Sequence, residues 1–292
     1  MKAKIQLISS MLIFGSIGIF VRNIEISSAA LALIRGILGS AFLIVYCIIA
    51  RKKISIKSIK QNILLLLFSS AAMGFNWILL FQSYKYTTIP IATLSYYCAP
   101  VFVIIMSPFI LKEKFSIKKF ICVVTAMLGM ALIMLTSANS GGNYNHLKGI
   151  FFGLSAAALY ASVVITNKFF KNLSGIETTL IQLAIAVCVL FPYLMITGPI
   201  RLTDISASSM PYILILGIFH TGFAYYLYFS AIKSIPAQSI AALSYIDPIS
   251  AVLFSAVILS EKMTFIQILG GILILGATIY GDRTKKLKSL SD

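Results

Sequence analysis

Gly74–Pro100 reads GFNWILLFQSYKYTTIPIATLSYYCAP and Gly222–Pro248 reads GFAYYLYFSAIKSIPAQSIAALSYIDP. Laid on each other at an offset of 148 positions, the two stretches place Gly74-Phe75 on Gly222-Phe223, Trp77 on Tyr225, Phe81 on Phe229, Lys85 on Lys233, Tyr97 on Tyr245 and Pro100 on Pro248. The same offset carries Glu113-Lys114 onto Glu261-Lys262 and Ser116 onto Thr264. Near the start of each half the register drifts by about two, with Phe14-Gly15-Ser16 facing Tyr160-Ala161-Ser162. Proline, glutamate and Trp/Tyr are scarce in these spans, so their joint match signals an internal repeat rather than chance.

The medium around the repeat follows from composition. With 59% hydrophobic and 11% charged residues in 292, and a mean hydropathy of +0.97, the chain has too little polar surface for a soluble domain. Apolar stretches of about twenty residues match a bilayer core of about 30 Å, and backbone groups in lipid must bond within their own segment, which makes these stretches helices. The spans read as Ile5–Val21, Ala29–Ala50, Ile63–Tyr84, Ile89–Leu111 and Ile117–Leu135, then Leu147–Phe170, Glu177–Ile196, Met210–Ile232, Ala237–Leu259 and Phe265–Tyr280. Between the two sets of five lies TSANSGGNYN, Thr136–Asn145, a polar linker. The expected organisation is a first unit over 1–135, a linker over 136–146, a second unit over 147–281 and a basic tail over 282–292.

Charge orients the spans. A net charge of +16 suggests nucleic acid in a soluble protein, but here the basic residues sit in loops between apolar spans, and no nucleic-acid partner is expected. With the N-terminus inside, 18 of the 24 lysines and arginines fall on the cytoplasmic side and five on the other, with Arg35 inside a span. Both termini are then cytoplasmic. Five is odd, so the second unit enters the membrane from the opposite side. The expected fold class is all-α membrane, ten transmembrane helices as two inverted five-helix repeats. The N-terminal run Met1–Val21 could be mistaken for a cleaved signal, but no small-residue cleavage motif ends it and the repeat uses it as a helix.

Inverted repeats place a substrate site near the midplane and expose it alternately to either side. Residues breaking or charging a span at that depth are the candidates. Pro100 and Pro248 interrupt the fourth and ninth spans and free carbonyls four residues earlier; this serves either packing or a cavity wall built from Ser95, Tyr96 and Tyr97 with Ser244 and Tyr245. Asp247 is the one acid deep in a span, and there it is a proton or cation site or the partner of a base such as Arg35. Arg35 itself either snorkels to the outer interface or serves as an anionic-group contact or a gate at the external mouth. Phe14, Trp77, Tyr160 and Tyr225 are repeat-related rings that fit either packing or a ring-lined cavity suited to amphipathic or cationic groups. Asn76, Gln82, Asn167 and Gln182 supply hydrogen bonds to substrate or between helices.

Other chemistry finds little purchase. Cys47, Cys98, Cys122 and Cys188 lie in apolar spans without pairing motifs, and His146 and His220 have no ligand-spaced neighbour, so no metal or cofactor is expected. No P-loop and no clustered nucleophile and base are present, so no enzyme and no ATP-driven pump is expected. Glu113 and Glu261 read as turn residues before the N-caps Ser116 and Thr264.

The segment Gly222–Gly281, its echo over Gly74–Leu135, and Arg35 in ALIRG resemble the drug/metabolite transporter superfamily, in its ten-helix EamA-type branch. That family usually has Glu before the ninth-helix proline, where this chain has Asp247, and Trp near the start of each half, where this chain has Phe14 and Tyr160. The resemblance implies a secondary transporter of a bacterial plasma membrane, with a cavity formed mainly by helices one, three, four, six, eight and nine. Relatives move amino acids, other metabolites, amines, nucleotide precursors or drugs, in either direction. Export of amino acids or related metabolites, with proton or ion coupling, is the expectation; an organic-cation or drug carrier is the rival.

Overall fold

The structure is a computed structural model that describes residues 2–52, 54–135, 145–198, 205–258 and 264–283. Of the linker only Asn145 and His146 are described, and Glu261, Lys262 and the tail beyond Arg283 lie outside the described residues. Those described form helices and connecting loops, with no strand among them. Eight stretches are long and apolar enough to cross a bilayer: Lys2–Val21, Ser28–Ile49, Ile63–Tyr86, Ile91–Leu111, His146–Thr166, Gly175–Thr197, Ala207–Ile232 and Ala237–Ile258. Two further helices, α8 (Ile117–Leu135) and α15 (Phe265–Arg283), pack on each other. Gly129 and Gly270 let their backbones meet, since a Cβ on Gly129 would lie 2.6 Å from the Gly270 carbonyl.

Local chemistry explains where the helices start. Ser27 accepts from the Ala30 amide to open α3 (Ser28–Ile49), and Asn145 accepts from Lys148 to open α9 (His146–Thr166). Ser174 and Glu177 form a reciprocal capping box at the start of α10 (Gly175–Thr197). Large apolar side chains face outward along the described helices, with Leu64, Phe109 and Ile196 79%, 83% and 85% exposed, an arrangement that suits an apolar solvent. The chain is a multi-pass membrane protein.

Interior packing relies on small residues, as lipid-embedded helix contacts do. Helix α9 buries Gly149, Gly153, Ala156, Ala157 and Ala161 and lies along α5 (Ile63–Tyr86). Its end differs from the sequence reading: the helix stops at Thr166, where the Asn167 side chain donates to the Val163 carbonyl and to Ser69. Gln182 from α10 donates to the same Ser69 hydroxyl, so these two amides join helices and do not face a cavity.

Four spans are interrupted. The first divides at Ser16 into α1 (Lys2–Gly15) and α2 (Ile17–Val21). Ahead of Pro100 the fourth divides into α6 (Ile89–Tyr96) and α7 (Ala99–Leu111). Ahead of Pro248 the ninth divides into α13 (Ala237–Leu243) and α14 (Ile246–Ile258). A short α4 (Ile56–Gln61) lies between the second and third spans, and the eighth span runs as α11 (Met210–Ile215), a π-helical turn over Leu216–Phe223 and α12 (Ala224–Ile232), where the sequence reading had one plain helix.

Candidate functional site

A cavity of about 320 Å³ opens between α2, α3, α5, the π-helical turn and α12. Arg35, Trp77, Tyr84, Thr221 and Tyr225 line it, with Ser28, Leu80 and Phe81 among its remaining walls. Arg35 leaves α3 towards the π-helical turn, and its Nε donates to the Thr221 hydroxyl at 3.0 Å. Tyr225 is its electrostatic neighbour. No carboxylate pairs with Arg35 among the described residues, so the sequence's alternative of an Arg35–Asp247 ion pair is replaced by a neutral hydroxyl partner.

From the cavity wall a row of rings leads to Asp247. Tyr225 meets Phe14 with centroids 5.0 Å apart, and Phe14 meets Tyr228 at 6.3 Å. Tyr228 stacks on Tyr160 at 6.5 Å and accepts a hydrogen bond from its hydroxyl at 2.7 Å. Tyr160 meets Tyr96 at 5.9 Å, Tyr96 meets Tyr97 at 6.2 Å, and Tyr97 meets Tyr245 at 6.5 Å. Asp247 stands in the first turn of α14, where the helix dipole favours a carboxylate, and the Tyr97 side chain lies beside it. Tyr225 lies within electrostatic range of both Arg35 and Asp247.

Of the candidates named from sequence, Trp77, Tyr225 and Arg35 line the cavity, and Phe14, Tyr160, Tyr96, Tyr97 and Tyr245 belong to the ring row. Asn76 donates to the Ala156 carbonyl at 2.6 Å and so ties α5 to α9, with Tyr96 beside it. Ser95 and Ser244 return their hydroxyls to the carbonyls of Ile91 and Ile240 at 2.8 Å each, a satisfied arrangement within their own helices. Pro100 and Pro248 are buried next to the breaks they follow. Sequence reading missed Thr221, Tyr84 and Ser28 as lining residues. Two glycines bracketing His-Thr in the stretch Gly217–Gly222 were the only hint at Thr221.

At the end of the bundle holding most basic loops, long side chains satisfy helix termini. Lys168 donates to the carbonyls of Ile232 and Ile235, and Lys233 donates to the Leu173 carbonyl at 2.5 Å and to Thr178 at 2.9 Å. Burial pushes both ammonium groups down to about 8, against the opposing pull of Glu113 on Lys168 and of Glu177 on Lys233. Glu113 accepts from the amides of Ala237 at 2.8 Å and Gln238 at 3.4 Å. Among the described residues no cluster of three or more His, Cys, Asp or Glu is placed to hold a metal.

A family model for the EamA-like transporter family matches residues 1–135 and 147–280. An uncharacterized transporter, YxxF, of Bacillus subtilis (strain 168) is 29% identical over 273 residues, covering 93% of this chain and 86% of its own length. An uncharacterized transporter of Archaeoglobus fulgidus is 25% identical over 277 residues, 94% of this chain and 93% of its own. A solved crystal structure superposes with a TM-score of 0.84 over 95% of each chain at 16% identity, a likeness of fold. The chain belongs to the EamA-like transporter family.

Proposed function

We propose that this transporter is a secondary carrier built from ten spans in two inverted five-helix units, 1–135 and 147–281, joined by the linker 136–146. Both termini, with the tail 282–292, lie on the cytoplasmic side of a bacterial plasma membrane. The repeat at an offset of 148 positions and the bias of lysine and arginine towards one set of loops support this arrangement. Cysteines placed singly in the linker and in the tail and labelled from outside test it; labelling of the tail in intact cells overturns it.

Its substrate is an amino acid or a related small zwitterionic metabolite, taken by alternating access and exported. The observation that carries this reading is the cavity in which Arg35 offers a cation without an acidic partner among the described residues, with Tyr225 connecting it electrostatically to Asp247. A carboxylate fits Arg35, Asp247 fits a coupling proton or an ammonium, and the rings fit an apolar side chain. Counterflow of labelled amino acids in proteoliposomes, with Asp247→Asn and Arg35→Gln, is the test. Both variants lose saturable exchange if the reading holds; unchanged exchange and unchanged pH profile in Asp247→Asn remove that residue from the mechanism. Efflux from preloaded cells decides export against import.

The ring row ending at Asp247 favours a second reading, an organic-cation carrier. Choline-like compounds then compete where amino acids do not, and Arg35→Gln retains transport.

A further inference from the structure

In this chain, hydroxyls on α-helices bond back to the carbonyl three or four residues earlier, as in Ser10 to Leu7, Ser162 to Leu159, Thr178 to Ser174 and Thr179 to Gly175. Thr221 departs from that habit. Its hydroxyl donates to the Leu216 carbonyl, five residues back, at 2.9 Å. His220 beside it does the same with Nδ1, 3.4 Å from the Ile215 carbonyl. Both follow from the wider π-helical turn over Leu216–Phe223, whose ladder runs between residues five apart.

With its proton committed to Leu216, the Thr221 oxygen has its lone pairs left to accept, and among the described residues the donor that reaches it is Arg35 Nε at 3.0 Å. The approach of α3 is made close by glycine. Arg35 and Gly39 share one face of α3 at a spacing of four, and a Cβ on Gly39 would lie 3.0 Å from the Gly222 amide and 3.1 Å from the Thr221 methyl. Thr221 is thus held between its own π-helical turn and the arginine. On the far side of the turn, His220 Nε2 and the Ser16 hydroxyl lie 2.9 Å apart, which ties the same turn to the break in the first span.

We infer that the π-helical turn aims Arg35 into the cavity, with Thr221 as its positioning residue. Rewinding the turn to an α-helix would move the carbonyl that Thr221 uses from Leu216 to Gly217, rotate its hydroxyl away from α3 and release the guanidinium. Strained local windings of this kind concentrate at working sites. The inference deepens the reading of Arg35 as the contact for an anionic group and rests on it.

Trp77 is the single tryptophan of the chain and lines the cavity with Arg35, so its fluorescence reports on the site without a known substrate. The probes are iodide, an anion, and acrylamide, a neutral quencher of similar reach. In the purified full-length protein the ratio of iodide to acrylamide quenching falls roughly twofold or more in Arg35→Gln, because the local anion concentration falls. Thr221→Val, close in shape but without the hydroxyl, lowers the ratio likewise, and Thr221→Ser restores it. An acrylamide constant equal to the parent's shows that the fold and the cavity persist. A normal ratio in Thr221→Val alongside a lowered one in Arg35→Gln overturns the positioning role alone, as does Thr221→Ser behaving like Thr221→Val. A normal ratio in Arg35→Gln overturns the anion reading and the inference together.

Discussion

The hydroxyl of Tyr245 donates to the backbone carbonyl of Tyr97 at 3.0 Å, and the two residues stand 148 positions apart, the offset at which the two halves of the sequence match. In an unbroken helix the Tyr97 carbonyl would accept from the Val101 amide. That amide instead bonds to the Cys98 carbonyl at 2.9 Å, because the chain breaks ahead of Pro100. Tyr245, fully buried, supplies the missing donor. The two tyrosines therefore have unequal jobs. Tyr245→Phe leaves a buried carbonyl without a donor and is expected to cost about 1–2 kcal/mol, seen as a lowered Tm in detergent. Tyr97→Phe keeps that bond, since the acceptor is backbone, and instead removes the hydroxyl beside Asp247, shifting the pH profile of transport. Equal loss of Tm in both variants refutes this division.

Glu113 does more than end a loop. Helix α13 begins after Pro236, which has no side-chain oxygen with which to cap it, and the Glu113 carboxylate from 124 residues earlier takes the amides of Ala237 and Gln238. Gln238 answers by accepting from the Ser116 amide at 3.1 Å and donating to the Lys114 carbonyl at 2.9 Å. Glu113→Ala is expected to lose about 0.5–2 kcal/mol, the usual worth of an N-cap, and Glu113→Gln less, since an amide oxygen still accepts. Thermal unfolding of the two variants measures the order; parent-like Tm in Glu113→Ala contradicts the cap.

How far these features could be read from sequence depends on their range. The broken fourth and ninth spans were legible because proline acts on its own turn, and the ring row was half legible because Phe14, Tyr97, Tyr160, Tyr225 and Tyr245 stand at matched positions of the repeat. Asn76, Ser95 and Ser244 show the limit. A polar residue in a span serves a cavity or a neighbouring carbonyl according to the rotation of its helix, which partners distant in sequence decide. The capping of Ala237 by Glu113 is of that kind too. The π-helical turn over Leu216–Phe223 carries no proline, and its Gly217, His220, Thr221 and Gly222 are equally compatible with a plain helix, so sequence alone does not betray the wider turn.

The lysines at the basic end set a pH dependence with a definite sign. Lys168 and Lys233 titrate at about 8 in the folded protein against 10.5 when free of burial. Between those values the unfolded chain holds protons that the folded chain has released, so stability rises with pH across that window and the burial penalty is in full force below it. Lys168→Met removes one such group. The Tm of the parent relative to this variant is expected to climb between about pH 8 and 10.5. Parallel curves for the two proteins contradict the assignment.

Gly15 ends α1 where that helix crosses the start of α14. A Cβ there would lie 1.9 Å from the Ser250 hydroxyl, 2.7 Å from the Asp247 carbonyl and 2.9 Å from the Ala251 amide. Two of these are backbone atoms and cannot swing aside, so Gly15→Ala must part the two helices next to Asp247, at a cost of about 1–3 kcal/mol for overpacking. At the matching place in the other half stands Ala161, fully buried, which shows that the motif itself tolerates a methyl group and that the demand for glycine comes from the neighbour. Gly18 provides the control, since a Cβ at that position would meet nothing within 4 Å. Gly15→Ala is expected to lower both Tm and counterflow, while Gly18→Ala leaves both as they are. If Gly15→Ala exchanges substrate at the parent's rate, close contact between α1 and the Asp247 turn is not required for transport.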